Sequence, residues 1–300
     1  MWFKNLSVYR LTETLTLTPV ELEQKLSSMI FQPCGDHQEF SFGWVAPLGK
    51  PSEQLVHNTN GFLMICAKKE EKVLPAAVVN EILQEKISEQ EDQQSRKLSK
   101  KERSAMKDEL VFELLPKAFT LSKKIYAYLD PKGGWLVADA ASAKSAEDLI
   151  SLLRKCLGSL PVEPITTIHK PSVIMTQWLS SDQLPGDIAI EDECELRAPG
   201  DEGGIIRCKR HDLTLPEIKN HLETGKQVIK LALSWAERIA FIIDESLSIK
   251  RLRFLTLVQD QVADIETDNA AEQFDADFSI MTMELANFLP RLLEIFGGDD

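Results

Sequence analysis

The side chains best placed to do chemistry are nine cations gathered in the middle of an acidic chain. Between residues 96 and 124, Arg96, Lys97, Lys100, Lys101, Arg103, Lys107, Lys117, Lys123 and Lys124 meet only Glu102, Asp108, Glu109 and Glu113, although the formal net charge of the 300 residues is −13. At about 3.6 residues per turn, the six cations from Arg96 to Lys107 fall within an arc of about 160° on a helix, with Glu102, Glu109 and Glu113 on a separate arc. A solvated helix tends to mix signs so that acid meets base one turn on. A one-sided row suits a row of phosphates, although basic runs also occur as plain solvated surface. The negative charge lies elsewhere: Gln259 to Asp300 holds eleven carboxylates against Arg291 alone, a net of −10, so residues 1–258 carry −3.

Three other groupings invite chemistry. Cys34 and His37 are near enough in sequence to be considered as a thiolate pair, but such a pair needs a third, orienting group, and a loop cysteine beside an exposed histidine is the simpler expectation. Asp264, Glu266 and Asp268 resemble the start of a calcium loop, yet Asn269 stands where the turn needs glycine and Asp275 where the closing glutamate belongs. Asp275 and Asp277 could hold a nuclease metal, but no histidine or Glu-x-Lys partner adjoins them. The GxSxG, GxxxxGK, GxGxxG and HExxH signatures are absent, so catalysis starts behind binding and neither a metal nor a cofactor is expected.

The elements that must carry these groups are legible in outline. With 43% hydrophobic residues the chain can bury a core of one large or two smaller domains. No uninterrupted apolar stretch reaches the ~18 residues of a membrane span, no signal-peptide h-region follows Met1, and Cys34, Cys66, Cys156, Cys194 and Cys208 form no CxxC pair. A cytoplasmic protein with reduced thiols and no membrane contact is expected. Alternation over residues 1–17 predicts a strand, and Thr18-Pro19 with Glu21 opens a helix to about Ile30. Strands are expected over 40–45 and 62–67, then two long helices over 75–91 and 97–115 as a protruding hairpin. A β-hairpin spans 125–138 around Asp130-Pro131-Lys132-Gly133-Gly134. Ser145 with Asp148 starts a helix that Gly158 ends. Strands at 205–209, 227–233, 238–243 and 250–255, short helices at 172–179 and 215–221, and a long helix over 270–296 complete an α+β class with mixed antiparallel sheets.

Collinear strings run the length of the chain: Trp2-Phe3-Lys4-Asn5-Leu6, Tyr9-Arg10-Leu11, Pro33-Cys34-Gly35, Gly43-Trp44-Val45, Lys69-Glu70-Glu71-Lys72-Val73-Leu74-Pro75, Leu114-Leu115-Pro116-Lys117-Ala118-Phe119, Leu152-Leu153-Arg154-Lys155, Leu157-Gly158-Ser159-Leu160-Pro161 and Phe274-Asp275-Ala276-Asp277-Phe278. In that order they resemble the bacterial recombination-associated RdgC family.

The resemblance implies a homodimer closed into a ring, with a central α+β region (1–74 and 120–165), a helical tip (75–119) and a base (166–300) that ends in the acidic helix. It implies binding of double-stranded DNA without sequence preference, weaker binding of single strands, restraint of the RecA recombinase and a nucleoid location. By similarity Arg96, Lys117, Arg210 and Lys226 face DNA, joined by Lys97, Lys100 and Lys101 from the same cluster. Phe119 plugs the smaller, gate-like contact. His211 is counted with the DNA-facing residues, although Arg210-His211 stands where relatives are expected to have Lys-Gln; Arg210 keeps the charge and His211 does not keep the amide. Two other classes stay open: a metal-dependent nuclease using the C-terminal carboxylates, and an adaptor whose acidic C-terminal region mimics DNA for a basic partner.

Overall fold

The computed structural model describes residues 1–49, 52–181, 183–200, 203–263 and 269–299. In chain order the strands are β1 (Leu6–Leu11), β2 (Phe40–Val45), β3 (Val56–Thr59), β4 (Phe62–Val73), β5 (Phe119–Asp130), β6 (Trp135–Asp139), β7 (Val162–Pro164), β8 (Ile188–Arg197), β9 (Ile205–Lys209), β10 (Gln227–Trp235), β11 (Ile239–Asp244) and β12 (Ile249–Phe254). The helices are α1 (Pro19–Leu26), α2 (Ala76–Gln94), α3 (Lys100–Leu114), α4 (Ala143–Leu157), α5 (Pro171–Ser181), α6 (Pro216–Glu223), α7 (Thr256–Ala263) and α8 (Ala270–Ile295).

The mixture of helices and strands is as expected, but the separate sheets are not: the strands join one continuous sheet in the order β2-β4-β5-β6-β1-β12-β11-β10-β8-β9, with β3 on β4 and β7 on β1, and these pairings are antiparallel. Its two halves meet where β1 adjoins β12, at Leu6 opposite Ile249. Alternation along β1 sends Leu6 and Val8 into one core and Tyr9 and Leu11 into another. The second core lies under α1 and α4. The first gathers Met64, Tyr128 and Val137 from one half-sheet and Leu231, Leu233 and Phe241 from the other. Helix α8 spans both halves, with Phe278 against Tyr128 and Phe288 against Trp235 and Phe241. Ion pairs from Arg238 to Glu284 and from Arg291 to Asp187 fix its far end.

Local signals set several ends. Thr18 and Glu21 form the expected capping box. The β5–β6 turn closes with Gly134 N–H donating to the Asp130 carbonyl at 2.8 Å, and Gly134 takes φ +75°, a value glycine adopts without a Cβ penalty. Elsewhere the expectations need correction. The first strand stops at Leu11, where its partner Val162 on β7 ends the ladder, rather than running to residue 17. Helix α4 is capped by Ser142, whose hydroxyl accepts from Ser145 N–H, so Ser145 lies inside it. Strands β3, β7 and β8 and helix α7 had not been anticipated.

The helix pair α2–α3 has a core of its own: Val79, Leu83, Ile87, Leu98 and Leu110, sharing no residue with the other two. Its turn is organised by Glu91, which is 8% exposed and accepts from Lys97, Arg103 and the Leu98 backbone N–H. These bonds, that from Lys97 first, hold the Glu91 carboxyl down at about 2, against an ordinary value of 4.5.

Replacing Phe288, fully buried where α8 crosses the second half-sheet, by alanine is expected to cost about 3–5 kcal/mol, read as a lowered denaturant midpoint. Because the Glu91 carboxyl is depressed in the folded state, its contribution is complete above pH 4.5 and is lost as pH falls towards 2. The protection factor of the Leu98 amide, taken against the intrinsic exchange rate at each pH, should therefore fall over that interval, and in Glu91→Gln it should be low throughout and lose this pH dependence.

Candidate nucleic-acid interface

The basic cluster divides into two kinds of cation. Arg96 and Lys97 do not continue a helix: Ser95 takes φ +52°, which ends α2, and α3 begins only at Lys100 behind a Ser99–Glu102 capping box. The arc drawn through Arg96 and Lys97 is thus broken. Nor are these cations kept apart from acids, since Arg96 forks onto Glu102 at 2.6 and 3.1 Å while Lys97 and Arg103 converge on Glu91. Their first task in the isolated chain is to close the turn.

Lys100, Lys101, Lys107, Lys117, Lys123 and Lys124 are exposed, and among the described residues none of them makes an ion pair. Lys100, Lys101 and Lys107 lie on α3, Lys117 in the 3-10 turn Leu115–Lys117 that follows it, and Lys123 and Lys124 on the adjoining part of β5. There the sheet sets like charges directly opposite one another, Lys68 across from Lys124 and Lys69 across from Lys123. Such pairing is unfavourable in a ladder. Glu70 and Glu71 each neutralise one lysine of β4, and Lys123 and Lys124 are left uncompensated.

Phe119 opens β5 opposite Val73 and is 86% exposed, so it belongs to no core of this chain. Leu121, two residues on, is 65% exposed, and Phe40 and Val73 on neighbouring strands are exposed as well. An apolar ladder therefore lies uncovered at the foot of the helix pair.

The remaining positions lie on the other half of the sheet, whose face opposite α8 carries charged side chains rather than helices. Arg210 follows β9 at φ +52° and lines a groove of about 930 Å³ in which Lys4, Lys209, Arg251 and Arg253 stand beside Glu191, Asp192 and Glu193. Of these, Lys209 and Arg251 pair with Glu193. His211 is taken up by Glu217 at 2.7 Å, and Lys226 donates to Thr224 at 2.9 Å. Lys4, Arg251 and Arg253 were not anticipated. The signal was present in Ile249-Lys250-Arg251-Leu252-Arg253-Phe254, where Ile249, Leu252 and Phe254 face the core and the basic residues do not.

The other candidates resolve differently. Cys34 and His37 do not pair: the Cys34 thiol donates to the Gln38 carbonyl, and the His37 ring stacks on Phe112 at 3.9 Å. Asp275 is bound to His57 and Thr59, and Asp277 to the Met1 ammonium and Gln273, so both serve to tie α8 to the sheet. Asp264, Glu266 and Asp268 lie outside the described residues. Among the described ones no group of acidic, histidine and cysteine side chains has a metal-holding arrangement, and no helix is long and apolar enough to cross a membrane. Several carboxylates of the acidic C-terminal region are engaged internally: Glu284 with Arg238, Glu294 with Arg291, and Asp299 with Arg10.

Comparison with known proteins places this architecture. The family model described as "RdgC: Putative exonuclease, RdgC" matches residues 1–299. The recombination-associated protein RdgC of Tolumonas auensis is 48% identical over 299 residues, covering 100% of this chain and 99% of that protein. The proteins of the same name from Aeromonas hydrophila and Yersinia pestis are each 46% identical, over 300 and 299 residues, with the same coverage of both chains. The chain is thus a full-length match to proteins associated with recombination, and it belongs to the RdgC family.

Proposed function

We propose that this protein binds double-stranded DNA without sequence preference, single strands more weakly, as two copies closed into a ring. Occupying the duplex in this way restrains RecA-dependent recombination, and the protein resides with the nucleoid. The observation that carries the proposal is the set of exposed, unpaired lysines running from α3 through Lys117 to Lys123 and Lys124, maintained in a chain of net charge −13 and at the expense of like-charge opposition across β4 and β5. Lysine ammonium groups neutralise phosphates by releasing condensed counterions, a form of binding that contains no base sequence information. The acidic remainder of the surface repels DNA and so favours the basic face as the point of approach.

In the ring, the uncovered ladder of Phe119, Leu121 and Val73 at the foot of the helix pair meets its counterpart on the second copy, and the base supplies the larger contact. Arg210 and Lys226 extend the phosphate track onto the base. Arg96 and Lys97 already have carboxylate partners, so they act mainly by shaping the turn that presents Lys100 and Lys101.

If ~6–8 phosphates are neutralised, affinity for unrelated duplexes of equal length falls together by about 10³-fold between 50 and 200 mM salt. Each of Lys100→Ala, Lys101→Ala and Lys117→Ala lowers the salt slope by about one. A flat salt response, or strong discrimination among sequences, overturns the proposal, as does shortening of end-labelled duplex in Mg²⁺ or Mn²⁺, which favours the nuclease. Phe119→Ser should leave the circular-dichroism spectrum and thermal midpoint unchanged, because the side chain is 86% exposed, while reducing retention on closed circular DNA and the dimer fraction by sedimentation. Global unfolding of that variant would refute the gate assignment.

A further inference from the structure

The edge hairpin of β8 and β9 holds two thiols face to face. Cys194 and Cys208 are directly opposed in the antiparallel register, and both side chains point to the core face, Cys194 1% exposed and Cys208 half-buried. Opposed residues of an antiparallel pair have Cα atoms about 4.5–5.5 Å apart, inside the span of roughly 4.4–6.8 Å that a disulfide bridges without moving the backbone. The cysteines are free in this structure.

We propose that Cys194 and Cys208 are a reversible redox-modification site, oxidised by hydroperoxides to an intrachain disulfide that staples the edge strand β9 to β8. Cys208 is the entry point because it is the less buried. Burial, followed by the adjacent Cys208, pushes the Cys194 thiol up to about 12, which leaves first attack to Cys208 and the second step to Cys194 by position. In the first step the Cys208 thiolate attacks a peroxide oxygen, and the O–O bond breaks. Hydroxide leaves to become water, and Cys208 becomes a sulfenic acid. In the second, Cys194 sulfur attacks Cys208 sulfur and the S–O bond breaks; the departing hydroxide takes the Cys194 proton and leaves as water. Two thiols and one hydrogen peroxide thus yield one disulfide and two waters, with two electrons passing from sulfur to oxygen.

The position gives the bond a consequence. β9 is an edge strand, held on one side only, and Lys209, Arg210 and His211 follow Cys208 immediately. A covalent staple holds Cys208 to β8 and so fixes the start of that basic segment.

The test treats the reduced full-length protein with hydrogen peroxide, blocks remaining thiols with N-ethylmaleimide and maps the peptides by mass. The expected result is two of the five thiols protected, a mass lower by about 2 Da before alkylation, a Cys194–Cys208 cross-linked peptide from the monomeric chain, and full reversal by dithiothreitol. Cys208→Ser abolishes the cross-link and Cys34→Ser leaves it intact. Should Cys208→Ser fold poorly, the cross-link map of the unsubstituted protein decides alone. Retention of five alkylatable thiols, peroxide damage confined to Cys34, or cross-links that join two chains overturns the proposal. None of these outcomes depends on DNA binding.

Discussion

The fold depends on α8. The sheet is continuous in its strand order, but its two halves adjoin through the short pairing of β1 with β12, and a backbone junction of that length cannot by itself hold a seven-stranded and a five-stranded half in one orientation. The helix supplies what the junction lacks, placing Phe278 on the first half and Phe288 on the second and anchoring its ends with Asp275, Asp277, Glu284 and Arg291. The acidity of the C-terminal region is in good part the chemistry of that anchoring. An account of those carboxylates as metal ligands or as a DNA mimic has to release them first from His57, the Met1 ammonium, Arg238 and Arg10.

What was legible in the sequence was what is decided locally. The Thr18–Glu21 box, the 130–134 turn and the helices of the α2–α3 pair follow from residues within a few positions of one another. Strand β8 was hidden because Glu191, Asp192, Glu193 and Glu195 dominate its composition, although Cys194 and Leu196 keep the inward alternation. The continuity of the sheet was not legible at all, since Leu6 and Ile249 are brought together only by tertiary packing. At the candidate interface, the identities of the cations were readable and their geometry was not. A left-handed residue at Ser95 ends the helix on which the basic arc had been drawn, and a nearly buried glutamate, Glu91, has no sequence signature that separates it from its solvated neighbours.

The division of the basic cluster has a physical logic. Cations that close the α2–α3 turn are paired and hydrogen-bonded, so their charge is spent within the chain. Those on the outer surface of α3 and on β5 are left to water and salt, and the opposition of Lys68 with Lys124 and Lys69 with Lys123 is tolerated at positions where a neutral residue would pair better. The exposed, unpaired lysines are the part of the cluster on which the proposed function rests. The groove at Arg210 on the far half-sheet sets Lys4, Arg251 and Arg253 beside Glu191, Asp192 and Glu193, a mixed-charge region that composition alone had not singled out.

The helix pair rests on its own small core and joins the body through the ends of β4 and β5 and the His37–Phe112 stack. A unit with so few shared contacts loosens at a lower free energy than the sheet beneath it. Its breathing is therefore uncoupled from denaturation of the body, and the pair can yield first and recover without loss of the whole.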